Sequence, residues 1–125
     1  MISQEQQKRL SADPNGLTTY EFIANNIGTV TDDMPWLVKN IIDVDRTGQF
    51  VVSTARYLHA INPEGYATCI DMLVKAAILK DRDRAYLPDL TASLWGSDYK
   101  ERAAEIAAED DNFRRIYKRL YPVGI

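Results

Sequence analysis

The chain of 125 residues has one cysteine and one histidine. A single cysteine excludes an intramolecular disulfide framework, and the two residues together are too few for a structural zinc site of the usual Cys and His ligands. No run of about 18 apolar residues occurs, so no membrane-spanning helix is expected. The opening Met1-Ile2-Ser3-Gln4-Glu5-Gln6-Gln7 lacks the basic and apolar regions of a signal peptide, which points to the cytoplasm. Only six glycines and five prolines are present, which excludes collagen-like and low-complexity chains. Charge of one sign is also missing: 15 basic residues face 18 acidic ones, net −3, with no general attraction to nucleic acid or an anionic membrane. There is no glycine-rich phosphate loop, and strand signals shrink to Phe50-Val51-Val52.

What the chain does have is helical periodicity over one domain, residues 1–125. Ser3–Leu10 reads as a polar helix, and Asp13-Pro14-Asn15-Gly16 as a turn. Thr18-Thr19-Tyr20-Glu21 has the form of a capping box for a stripe of Tyr20, Ile23, Ala24 and Ile27, closed by Gly28 as a left-handed cap. Met34, Leu37, Val38 and Ile41 form a second stripe, and Phe50, Val51, Thr54, Leu58 and Ile61 a third. Asn62-Pro63 reads as the start of the central helix, whose stripe is Tyr66, Cys69, Ile70, Leu73, Val74, Ala77 and Ile78. Pro88 opens a short helix that Gly96 closes, and residues 97–121 form either one kinked helix or two meeting near Asp110. The expectation is an all-α bundle of six or seven short helices without a sheet. No internal repeat is strong enough to name a solenoid, although successive helical hairpins are compatible with a short stack.

The sharpest local motif is Asp43-Val44-Asp45-Arg46-Thr47-Gly48-Gln49-Phe50, which resembles the first eight positions of an EF-hand calcium loop. The resemblance implies side-chain oxygens from Asp43, Asp45 and Thr47, a backbone carbonyl from Gln49 and a sharp turn at Gly48. The sequence departs from the pattern at Thr54, where the bidentate glutamate belongs, and at Val51. Thirty-two residues upstream, residues 11–22 echo the motif around Asp13 and Gly16, so the pair is similar to two degenerate EF-hand loops. The plainer reading makes the same residues turns and helix ends.

Cys69, His59 and Asp71 are the only material for a nucleophilic centre, and Cys69 falls on the apolar stripe, where a thiol is inert. No catalytic residue is assigned, no enzyme activity is expected, and no cofactor is implied. The seven tyrosines, with Trp36 and Trp95, suggest an interaction surface. Arg114, Arg115, Tyr117, Lys118, Arg119 and Tyr121 add a basic, aromatic C-terminal helix, whose plainer reading is an amphipathic helix docked on the core. The sequence therefore reads as a small non-enzymatic helical protein acting by protein–protein contact or self-association, a homodimer included. The alternatives are a degenerate EF-hand-like calcium-responsive module and a nucleic-acid accessory protein using the C-terminal basic helix.

Overall fold

The computed structural model describes residues 2–123. Among them there are eight α-helices and no strand: α1 (Gln4–Ser11), α2 (Leu17–Asn25), α3 (Met34–Val44), α4 (Gln49–Ile61), α5 (Ala67–Lys80), α6 (Leu87–Trp95), α7 (Ala103–Glu109) and α8 (Asp111–Leu120). The all-helical expectation holds, with eight helices rather than six or seven. The count rises because the segment after Gly96 divides: Asp110 takes an extended backbone (φ −130°, ψ 105°) between α7 and α8. Its side chain accepts from the Phe113 amide and so starts a new helix instead of kinking an old one.

The helices form two layers. α2, α4 and α6 lie side by side in one, and α1, α3, α5 and α8 follow one another in the other. The pairs α2–α3, α4–α5 and α6–α8 cross between layers, which makes the molecule a short stack of helical hairpins. Its core sits between the layers. All seven stripe residues of α5 are buried, as are Met34, Leu37, Val38 and Ile41 of α3. Each large apolar side chain fully removed from water contributes about 1.5–3 kcal/mol, so this seam dominates the fold. Tyr99, Ala103, Phe113 and Tyr117 make a second, smaller cluster, with Trp95 edge-on to Phe113 at 5.1 Å.

Several local expectations change. Gly28 is not left-handed: α2 ends at Asn25, and the Asn26 side chain donates back to the Phe22 carbonyl. Asn62 does not cap α5. Its Oδ1 accepts from the Gly65 amide in a separate turn, and the helix begins at Ala67. On α4, Ile61 is 49% exposed, whereas Val52 and Ala55, outside the expected stripe, are buried because α4 is flanked by α2, α5 and α6. No helix among the described residues is long and apolar enough to cross a membrane.

Candidate functional site

Three aspartates set the geometry of the hairpin starts. Asp13, Asp45 and Asp81 are all buried. Asp13 Oδ1 accepts from the amides of Asn15 and Gly16, and Oδ2 from the amide and hydroxyl of Thr19. Asp45 Oδ1 accepts from the amides of Thr47 and Gly48, and Oδ2 from those of Phe50 and Val51, at 2.9–3.0 Å. Asp81 accepts from Ala85 through Oδ1, and from Tyr86 and Leu87 through Oδ2. The first amides of α2, α4 and α6 lack intrahelical acceptors, so a buried carboxylate can satisfy them and complement the helix dipole.

The three loops share a register. Six residues after each aspartate stands a fully buried side chain, Thr19, Val51 or Leu87, whose amide reaches Oδ2. Three residues after each stands a left-handed residue: Gly16 (φ 107°), Gly48 (φ 95°) and Arg84 (φ 59°). The thirty-two-residue echo in the sequence is thus a structural repeat, and the capping-box reading of Thr18–Glu21 gives way to the Asp13 staple, with Gly16 at the N-cap. The missed signal was an aspartate with a left-handed position at +3 and a buried residue at +6. The third copy hid itself because arginine stands where the others have glycine.

This arrangement bears on the calcium residues. Both oxygens of Asp45 are taken by four amides, and Thr47 Oγ1 accepts from the Gln49 amide. Gln49 is the first residue of α4, and its carbonyl points along the helix to accept from Ser53 Oγ. Asp43 is exposed on the last turn of α3, beside a depression lined by Trp36, Lys39 and Asn40. Of the calcium-loop residues, Asp45 and Thr47 meet directly, Thr47 Oγ1 donating to Asp45 Oδ1 at 3.3 Å. Among the described residues no group of three or more His, Cys, Asp or Glu side chains could hold a metal ion.

The proposed interaction residues are also dispersed. Trp36 borders a depression of about 670 Å³ against α1, with Gln4, Glu5 and Lys8. Trp95 is half-buried, and its indole nitrogen donates to Asp110 Oδ2 at 2.9 Å. Tyr117 is buried and the Tyr121 ring packs against it, tilted by 44° with centroids 4.8 Å apart and its hydroxyl 3.0 Å from that of Tyr99. Arg119 turns inward to donate to the Ile78 carbonyl, and Arg114 pairs with Asp111. Of the group, Arg114, Arg115 and Lys118 are exposed, while Tyr117 is buried and Arg119 and Tyr121 are half-buried, so α8 is an amphipathic helix docked on the core. Cys69 is buried, and burial pushes its thiol pKa up. It lines neither of the depressions that His59 borders. Asp71, meanwhile, holds Lys75 and Asn112.

Another open surface lies on the α2–α4–α6 layer. A depression of about 450 Å³ there is lined by Tyr20, Ser53, Arg56, Tyr57, His59, Ala60 and Ser93. Its walls are held in place. Arg56 Nε donates to Ser93 Oγ at 2.8 Å, and the Tyr57 hydroxyl donates to the Ala24 carbonyl at 3.4 Å. Tyr20 and Tyr57 meet edge to face at 6.4 Å. A smaller depression, about 240 Å³, adjoins it through His59 and reaches Trp95, Asp71 and Asn112. No protein-family model matches this chain, and no curated protein or solved structure is similar to it.

Proposed function

We propose that this protein is a non-enzymatic protein–protein interaction module that works through the α2–α4–α6 face. The observation that carries the reading is the depression across three successive hairpins, lined by Tyr20, Arg56, Tyr57 and His59 and open to solvent. Tyrosine and arginine are the side chains that interfaces concentrate, because they contribute large contact area together with directed hydrogen bonds. The hydrogen bonds of Arg56 and Tyr57 restrict these side chains before a partner arrives, which lowers the entropy lost on binding. A stack of hairpins suits such a role, since each added hairpin extends one continuous surface.

The test uses the whole chain. Affinity capture with cross-linking identifies a partner, or sedimentation velocity identifies a homodimer, and the complex is then rebuilt from purified components. The expected result is a complex of fixed stoichiometry that is lost in the Ala60→Trp and Arg56→Glu variants, both of which alter exposed positions and leave the far-ultraviolet spectrum unchanged. A complex indifferent to both variants, or a monomer that forms no complex from purified components, overturns the reading.

A further inference from the structure

The loop end of the stack carries charge that its folding does not require. Arg46, Lys80 and Arg82 line one cleft of about 230 Å³, together with Thr47, Asp83 and Tyr86. They come from three separate places: the loop before α4, the last residue of α5, and the loop before α6. Ion pairs among the described residues join Arg9–Glu5, Lys75–Asp71, Arg102–Asp98 and Arg114–Asp111, each between residues three or four apart in sequence. None of Arg46, Lys80 and Arg82 has an ion pair among the described residues. Two carboxylates are near. Asp81 is buried and given over to three amides, which leaves exposed Asp83 against three cations. This local surplus stands on a chain whose net charge is −3.

The repeat itself shows that the charge is optional for the fold. The first loop makes the same aspartate staple with Pro14, Asn15 and Gly16 and no cation at all. The second has Arg46, Thr47 and Gly48, and the third Arg82, Asp83 and Arg84. Lys80 is the last residue of α5, and Arg46 and Arg82 follow the ends of α3 and α5 by two residues, so all three suit negative helix ends. Arg84 even keeps a left-handed backbone (φ 59°) that glycine would adopt without penalty. Two guanidinium groups and an ammonium facing one exposed carboxylate in a single cleft leave a local positive charge that an anionic ligand would neutralise.

We propose that the cleft of Arg46, Lys80 and Arg82 docks an acidic segment of a partner protein. This rests on the interaction reading above and names the chemistry of the partner. The cleft is too small for a folded element but admits carboxylate side chains from an extended strand. Its three cations come from two loops and a helix end and offer separate partners to successive acidic side chains of one segment. Asp83 and the chain's overall negative charge weigh against a nucleic-acid backbone, which needs a continuous basic track.

Fluorescence anisotropy tests this with a fluorescein-labelled peptide of alternating glutamate and glycine. The comparison probes are the glutamine counterpart, a duplex DNA and phosphatidylserine vesicles. The glutamate peptide should bind, the glutamine peptide should not, and binding should weaken as salt is raised. Arg46→Gln combined with Arg82→Gln should weaken it about tenfold, from the loss of two exposed charge contacts. Lys8→Gln with Lys39→Gln, which border other depressions, should leave it unchanged. Absence of binding by the folded protein, equal loss in the control pair, or tighter binding to DNA or vesicles overturns the proposal. If the peptide fails while the complex on the α2–α4–α6 face forms, only the acidic-segment assignment falls.

Discussion

Asp13 and Asp45, thirty-two residues apart, hold the starts of two successive hairpins with the same hydrogen bonds: one carboxylate oxygen on the loop amides at +2 and +3, the other on the helix amide at +6. Asp45 adds the Phe50 amide. Truncating Asp45 to alanine strands these amides in a nearly dry site. Asp45→Ala should lower the unfolding free energy by about 3 kcal/mol, and Asp45→Asn, which keeps one acceptor oxygen, by about 2 kcal/mol. Urea denaturation at neutral pH measures both. A loss below about 0.5 kcal/mol for the alanine variant, the size typical of an unremarkable surface change, would remove the staple from the account of the fold.

Arg84 is the third copy's counterpart to Gly16 and Gly48 and the sole non-glycine residue at positive φ among the described residues. Its guanidinium reaches the Arg119 carbonyl through an exposed, long contact of 3.4 Å. The backbone strain should outweigh that contact. Arg84→Gly is expected to stabilise the protein by about 0.5–1 kcal/mol, since relief of a left-handed L-residue exceeds glycine's extra chain entropy. An unchanged or lowered urea midpoint would show that the Arg119 contact governs instead.

Asp13 also sets an acid dependence. Burial raises its carboxyl pKa, but the amides of Thr19 and Gly16, the hydroxyl of Thr19 and the amide of Asn15 together hold it below its ordinary 3.8. A pKa lowered in the folded state means that the unfolded chain binds the proton more readily. The group's stabilisation is therefore fully present above about 3.8 and is lost as pH falls through the lower folded value. Wild-type stability should drop more steeply than that of Asp13→Asn as pH is lowered from 5 to about 2. Parallel acid limbs in the two proteins would contradict the assignment.

The calcium-loop resemblance makes a sharp expectation because the oxygens of Asp45, Thr47 and Gln49 are already in use. Titration to about 1 mM calcium, the weak end of known loop affinities, should produce no heat and no change in thermal midpoint. Thr54→Glu restores the missing bidentate position of an EF-hand, yet Thr54 is fully buried and its hydroxyl donates to the Phe50 carbonyl at 2.7 Å. The variant should be destabilised by a buried, unpaired carboxyl, and calcium should not rescue it. Recovery of the thermal midpoint on adding calcium would reinstate the metal site.

The loop sequences explain why this motif admits both readings. Asp-x-Thr-Gly and Asp-x-Asn-Gly place a carboxylate inside a tight turn whether it faces a cation or the hydrogens of amides. The two cases differ further along. A metal loop needs another carboxylate, whereas Thr19, Val51 and Leu87 are buried side chains that fasten the helix to the core. Asp81 escaped notice in a run of charges, where one solvated acid looks like the next. Which of Lys80-Asp81-Arg82-Asp83-Arg84 is buried depends on the packing of α6 against α4, and no local pattern encodes that.

From the sequence alone, the apolar residues recurring every three to four positions determined that the chain is helical and which face of α3 and α5 turns inward, because that period is the geometry of the helix itself. The layering of alternate helices was decided only in three dimensions. So were the turning inward of Arg119 and the meeting of Arg46, Lys80 and Arg82 at one cleft. Periodicity tells each helix which side must leave water, but the partner that covers that side, and the side chains thereby brought together, are fixed by how the hairpins stack.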